Sequence, residues 1–278
     1  MQKYNRILFH IYMGAFLIYL LLPLLVMGGA AFNDSKLPTI IPWKGLTDQW
    51  FIDLWNDNRI WIALRNTVLV AIAVVIIAVP VGTAGAILVN SINGRVRSIL
   101  YGLMVAPILV PGVVIGISTL LFWNQFSVGS GLHLSVLGQV SYIASFVMLL
   151  VLARLQSFDQ GLEEAALDLG ATHAQVMRRI LLPHLYPALG AGAAISFFQS
   201  IENFNVTLFT RGGADTLTVY VFSKVRSGIT PTINALALLL ILVTLGAAIW
   251  YEVSRRRKAR IEAAREAEGR RAEDAELA

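Results

Sequence analysis

The sequence contains no cysteine, which excludes disulfides, thiolate metal sites and thiol chemistry. Its four histidines, His10, His133, His173 and His184, stand at no metal-ligand spacing and read as structural or interfacial. There is no G-x-x-x-x-G-K-S/T phosphate loop, and Gly212-Gly213 lacks the lysine of a phosphate cradle, so this chain is not expected to hydrolyse nucleotide. No Ser/His/Asp arrangement stands out, and an enzyme active site is not supported. Charge is also scarce: only 14% of the residues are Asp, Glu, Lys or Arg. None of these four occurs in the 56 residues from Ser98 to Ala153.

What is present is apolar. With 56% hydrophobic residues and a mean hydropathy of +0.68, a chain of 278 residues belongs in a bilayer. A spanning helix needs about 20 mostly apolar residues to cross ~30 Å of hydrocarbon at ~1.5 Å per residue. Six segments qualify, at about 7–32, 66–89, 100–123, 136–155, 186–208 and 232–251. The first competes with a cleaved signal peptide, because Lys3 and Arg6 precede it and Gly28-Gly29-Ala30-Ala31 resembles a cleavage site. Its 26 uncharged residues, Ile7 to Phe32, exceed the ~7–15 of a signal-peptide core, so a retained helix is expected. Pro80 and Gly82 are kink candidates in the second span. The uncharged run divides at Asn124 to Ser135, whose Ser, Gly, Asn and His133 mark a loop between spans three and four. The expected fold is therefore all-α and polytopic, a transmembrane domain over 1–254 followed by a charged tail over 255–278.

Lys and Arg set the orientation. With the N-terminus inside, 15 of the 22 basic residues fall on the inner face, among them the cluster Arg255-Arg256-Arg257-Lys258. Both termini and the segment 156–183 are then cytoplasmic, while 33–64 and 209–231 lie outside. The net charge of +5 reflects this inside bias and needs no nucleic acid to explain it. The tail from Arg255 onward reads as a topological anchor grading into a solvated helix or disorder.

The connector 156–183 is far longer than the ~2–8 residues usual between bundle helices. Glu163 to Leu169 is rich in helix formers, with Glu163 and Glu164 early, where the helix dipole favours acids. Gly170 supplies a left-handed residue to end that helix. Thr172 then caps a second helix, with Gln175 three residues on as a capping box requires. Val176, Met177, Ile180 and Leu181 form an apolar stripe while Arg178 and Arg179 point elsewhere, and Pro183 and Pro187 mark the return to the membrane. Such a bent helical pair offers one face to its own bundle and another to a partner.

The pattern E-A-A, three residues, G, nine residues, I-x-L-P, met by Glu164, Ala165, Ala166, Gly170, Ile180, Leu182 and Pro183, resembles the signature loop of binding-protein-dependent ABC-importer permeases. The resemblance implies that Glu163 and Asp168 join these residues in coupling helices docked on a cytoplasmic ATPase. It implies as partners two ATPase subunits that bind ATP and Mg, a second homologous permease subunit and an extracytoplasmic binding protein. It also implies a bacterial inner-membrane location and no cofactor in this chain. Ala31-Phe32-Asn33 with Pro42, Gly45-Leu46-Thr47 and Trp50-Phe51 is similar to the first external segment of spermidine/putrescine-type permeases. So are Pro107 to Pro111 and the segment Tyr220 to Leu240.

Gln199, Ser200, Glu202, Asn203 and Asn205 form the polar run of span five and are the candidate solute pathway. Glu202 lies 15 residues beyond Pro187, or about 22 Å along a helix, in the external half of the membrane. An intramembrane carboxylate is costly and suggests function; the competing reading is an ion pair with Arg65 or Arg211. On the pathway it would favour a cationic solute. Asn203 and Gly112 stand where polyamine permeases often carry acids, which leaves room for a different small solute. A secondary transporter would need more intramembrane ionisable groups and internal repeats. A non-transporting scaffold would leave the Glu164 to Pro183 pattern without purpose.

Overall fold

The computed structural model describes residues 2–228 and 230–276, with side chains over 6–228, 230–257 and 259–261. The described helices are α1 (Gln2–Ala30), α2 (Gln49–Asn56), α3 (Asn58–Ser91), α4 (Arg95–Leu109), α5 (Gly112–Asn124), α6 (Leu132–Leu155), α7 (Gln160–Asp168), α8 (His173–Val176), α9 (Leu182–Ile201), α10 (Asn205–Thr210), α11 (Leu217–Ser227) and α12 (Thr232–Glu276). A π-helical turn, Met177–Leu181, joins α8 to α9. Among the described residues five runs are long and apolar enough to cross a membrane: Arg6–Ala30, Asn58–Ser91, Leu132–Leu155, His173–Ile201 and Thr232–Ile261. Counting α4 and α5 as one broken span makes six. The chain divides into two compact units, Asn58–Ser223 and the discontinuous pair Met1–Asp57 with Lys224–Ala278.

The central unit is built on α3 and α6. Val70, Val74 and Ala78 of α3 meet Val136, Val140, Ile143 and Ala144 of α6. A second cluster joins Ala86 and Val89 to Val147, Met148, Val151 and Leu155, to Leu181 of the π turn and to Leu185 of α9. Lipid is as apolar as these side chains, so close van der Waals contact and interhelical hydrogen bonds, rather than expulsion from water, hold such helices together. Gly82 illustrates the contact: a Cβ there would lie 2.5 Å from the Ala144 carbonyl oxygen. α3 runs unbroken through the kink candidates Pro80 and Gly82. Gly82 lets α6 approach. Asn66 Nδ2 donates to the Asp215 carbonyl (2.9 Å), and the Leu217 N–H donates to Thr67 Oγ1 (2.8 Å), tying α3 to the start of α11.

Four expected boundaries differ. Span three is not one helix over 100–123: α4 and α5 meet at an angle of 104°. Pro111 cannot donate, and it biases its predecessor to extended backbone, as Val110 shows with φ −84° and ψ 129°. Span five does not begin after Pro183 but is continuous from His173 to Ile201. The Leu182 N–H reaches back five residues to the Met177 carbonyl, and this wider π turn accommodates the Pro183 ring that would press on the preceding turn. The same span ends at Ile201 instead of 208. The tail expected from 255 is described as a continuation of α12 to Glu276.

In the other unit, α12 packs against α1 and α2. The segment between α1 and α2 is ordered around Asn33, which is fully buried.

Candidate functional site

Two places in the central unit gather the expected site residues. The first is the corner between α7 and α8. Asp159 caps α7, its Oδ1 accepting the Gly161 N–H at 2.9 Å. The helix closes in a Schellman motif: the Gly170 N–H donates to Leu167 O (2.9 Å) and the Ala171 N–H to Ala166 O (3.0 Å). Gly170 has φ +83° with open space around it, so backbone conformation, not crowding, selects glycine here. The capping box then forms as its spacing predicts, Gln175 N–H to Thr172 Oγ1 (3.3 Å) and Thr172 N–H to Gln175 Oε1 (2.8 Å).

The stripe faces the bundle as expected. Val176 and Leu181 are buried, Met177 packs on the cluster of Leu152, Leu155 and Leu185, and Arg178 and Arg179 are exposed. Arg154 and His184 clamp the end of α6 to the start of α9: Arg154 Nε donates to His184 O (3.1 Å), and His184 Nε2 lies 3.3 Å from Arg154 O. Phe158 packs edge-on against the His184 ring. Of the motif residues, Glu164, Ala165, Asp168, Gly170 and Pro183 are exposed, while Glu163, Ala166, Ile180 and Leu182 are half-buried. Leu169, beside Gly170, is 89% exposed. The corner thus has a buried inner side and an outer side of carboxylates, small residues and the exposed leucines Leu162 and Leu169.

The second place is the junction between α9 and α10. Ser200 Oγ donates to Gln139 Oε1 (2.6 Å), and Gln139 Nε2 donates to Thr207 Oγ1 (2.9 Å). Asn203 Nδ2 donates to the Tyr142 hydroxyl (2.7 Å), while its Oδ1 accepts from the backbone of Val206 (3.2 Å) and Thr207 (3.3 Å). Ser200 and Asn203 are therefore committed to an internal network that ends α9 and starts α10. Gln139 and Tyr142 were not among the expected site residues. The signal for Gln139 lay in the sequence, since it is the one amide side chain between 136 and 155.

Gln199 is half-buried, and Glu202 and Asn205 are exposed. Arg211 pairs with Asp215, and among the described residues neither Arg211 nor Arg65 forms an ion pair with Glu202. Glu202 caps the C-terminus of α9, where the helix dipole is negative and a carboxylate is disfavoured unless a cation is near. The break between α4 and α5 meets this junction. A Cβ on Gly112 would lie 3.0 Å from Asn205 Cβ, and one on Gly116 would lie 3.0 Å from the Val206 carbonyl oxygen. Glycine at both positions lets α5 lie directly on α10. Among the described residues no group of His, Asp and Glu could hold a metal ion.

Residues 78–260 match the family described as the binding-protein-dependent transport system inner membrane component. The putrescine transport system permease protein PotI of Escherichia coli K12 is 33% identical over 254 residues, 87% of this chain and 89% of that protein. The spermidine/putrescine transport system permease protein PotC of the same strain is 28% identical over 235 residues, 84% and 88% of the two chains. Among solved structures, a bacterial ABC transporter that imports the polysaccharide alginate superposes with a TM-score of 0.72 at 18% identity, over 92% of this chain and 96% of that one. The MetNI methionine ABC transporter superposes at 0.55 and 21% identity, over 77% and 99%. Likeness at these identities concerns the fold alone.

Proposed function

The chain belongs to the family of binding-protein-dependent transport system inner membrane components, and from that premise we propose how it works in an ATP-driven importer. It is a multi-pass permease subunit of the ABC-importer class, related over most of its length to polyamine permeases. The observation that carries the mechanism is the continuous helix from His173 to Ile201. Its 29 residues span about 43 Å, from the α7–α8 corner to the junction with α10.

In this reading the corner lies in the cytoplasm, with both termini, and sits in a groove of an ATPase subunit. Glu163, Glu164 and Asp168 offer charge-assisted contacts, Ala165 and Ala166 keep the surface low, and Ile180, Leu182 and Pro183 join the corner to the span. Closure of two ATPases around ATP and Mg displaces α8, and the unbroken helix carries that displacement to the junction where the two breaks interlock. This chain itself performs no catalysis and needs no cofactor. A second homologous permease chain, different from this one, completes the pathway, and an extracytoplasmic binding protein delivers the solute.

The cargo is a polyamine such as putrescine or spermidine. The relatives support this class, and so does Glu202, an exposed carboxylate at a helix end that forms no ion pair among the described residues. Gln199 and Asn205 flank it along the proposed pathway, and Ser200 and Asn203 hold the junction in shape. A second reading, a different small solute, is favoured by the uncharged Asn203 and by Gly112, which limit the negative charge available to a dication. The ligand that raises the melting temperature of the cognate binding protein decides between them.

The coupling reading is tested in proteoliposomes carrying the assembled importer. Gly170→Asp and Glu164→Lys should insert normally yet lose ATP-dependent uptake. Uptake at the wild-type rate by either variant overturns it.

A further inference from the structure

The segment between α1 and α2 is a rigid loop with an apolar tip, and we propose that it is a membrane-interface anchor that inserts into the lipid headgroup layer at the end of α1. Its rigidity comes from one buried side chain. Asn33 Nδ2 donates to the carbonyls of Thr39 (2.8 Å) and Pro42 (3.0 Å), and its Oδ1 accepts the Lys44 N–H (2.8 Å). Its own carbonyl accepts from Trp50 Nε1 at 2.9 Å. The Asp34 N–H donates to Gly45 O and the Thr47 N–H to Phe32 O, both at 2.9 Å, closing the base.

Such a scaffold could have turned its apolar residues inward. Instead Leu37 is 66% exposed, Ile41 79%, Trp43 52% and Leu46 80%, with the exposed ammoniums of Lys36 and Lys44 between them. Apolar side chains, a tryptophan and lysines together match the chemistry of the bilayer interface, where amphipathic rings and long cationic side chains sit beside phosphates.

Position selects the lipid over a soluble partner. The large side chains of α1 from Ile7 to Val26 are exposed, as befits a helix bathed in hydrocarbon. Counting from Arg6, Gly29 lies 23 residues along, or about 35 Å, against ~30 Å of hydrocarbon. Gly29 therefore emerges within the headgroup layer, and Ile40 packs directly on it, its Cδ1 lying 2.5 Å from where a Gly29 Cβ would be. The loop folds back onto the helix end, so its tip stays at the level of the headgroups.

The absence of cysteine allows a direct test. Single substitutions Leu37→Cys, Ile41→Cys, Trp43→Cys and Leu46→Cys carry an environment-sensitive fluorophore in the assembled importer in nanodiscs, with the wild-type chain as blank. Insertion predicts blue-shifted emission, quenching by lipids brominated on their tails, and protection from aqueous iodide. Quenching by iodide but not by brominated lipid overturns the proposal, and its loss on adding the binding protein would make the tip a protein-docking site. Protection from both quenchers also overturns it and would mean that another membrane chain covers the loop. None of these outcomes depends on which solute is carried or on the ATPase contact.

Discussion

The α7–α8 corner and the α9–α10 junction are both places where a helix stops, and they stop for opposite reasons. At the corner the capping hydrogen bonds are local: Asp159 to Gly161, Ala166 to Ala171, Thr172 to Gln175. At the junction the bonds cross 61 to 68 residues of sequence, from Ser200 to Gln139, Thr207 to Gln139 and Asn203 to Tyr142. A corner made of local bonds keeps its shape while a partner moves it. A junction made of distant bonds responds whenever the helices that supply them shift. The contrast suits a device that receives motion at one end and changes shape at the other.

The comparison can be broken most severely at the junction. Gly116→Val places a side chain against the Val206 backbone, so α5 and α10 must separate, at the ~1–3 kcal/mol typical of overpacking. The melting temperature of the purified importer should fall, and uptake should be lost with it; an unchanged melting temperature would mean that the contact is not tight. A smaller effect is expected from Glu202→Gln, which alters no hydrogen bond described for the junction. It should leave melting unchanged and lower uptake of a diamine about tenfold, or ~1.4 kcal/mol. Equal uptake by variant and wild type would remove Glu202 from the pathway. The mildest change is Thr172→Ala at the corner, where loss of an N-cap costs ~1 kcal/mol. Hydrogen exchange should quicken at Thr172 to Val176 and remain slow at Val206 and Thr207. Faster exchange at both places would show that the corner is not locally held.

Much of the corner was legible in advance. The acids before Ala165, the glycine with positive φ and the Thr172/Gln175 box all appear where the spacing puts them, because capping chemistry acts within a few residues. The number of apolar segments was legible for the same reason that hydropathy works: an unpaired backbone group in lipid is costly, so a lipid-facing span is built from apolar helix. What misled was proline. Pro183 marks the return to the membrane in the sequence, yet it lies inside one continuous span, where a π turn absorbs it. Pro111 reads as a bend within one span, yet it turns the chain by 104°. Local sequence identifies a perturbed position, while the neighbouring helices decide how the perturbation is resolved. Ser200 and Asn203 followed the same rule. Their polarity marked them for the pathway, and only the arrival of Gln139 and Tyr142 from α6 committed them to the network.

By itself the sequence determined that this is a polytopic helical membrane protein with a capped two-helix corner, since hydropathy and capping depend on residues close along the chain. Only the tertiary structure decided that α8 and α9 form one helix, that Gly112 and Gly116 seat α5 on α10, and that Glu202 forms no ion pair among the described residues. Those outcomes depend on which atoms lie within a few ångströms across the bundle, and packing sets that distance between residues far apart in the chain.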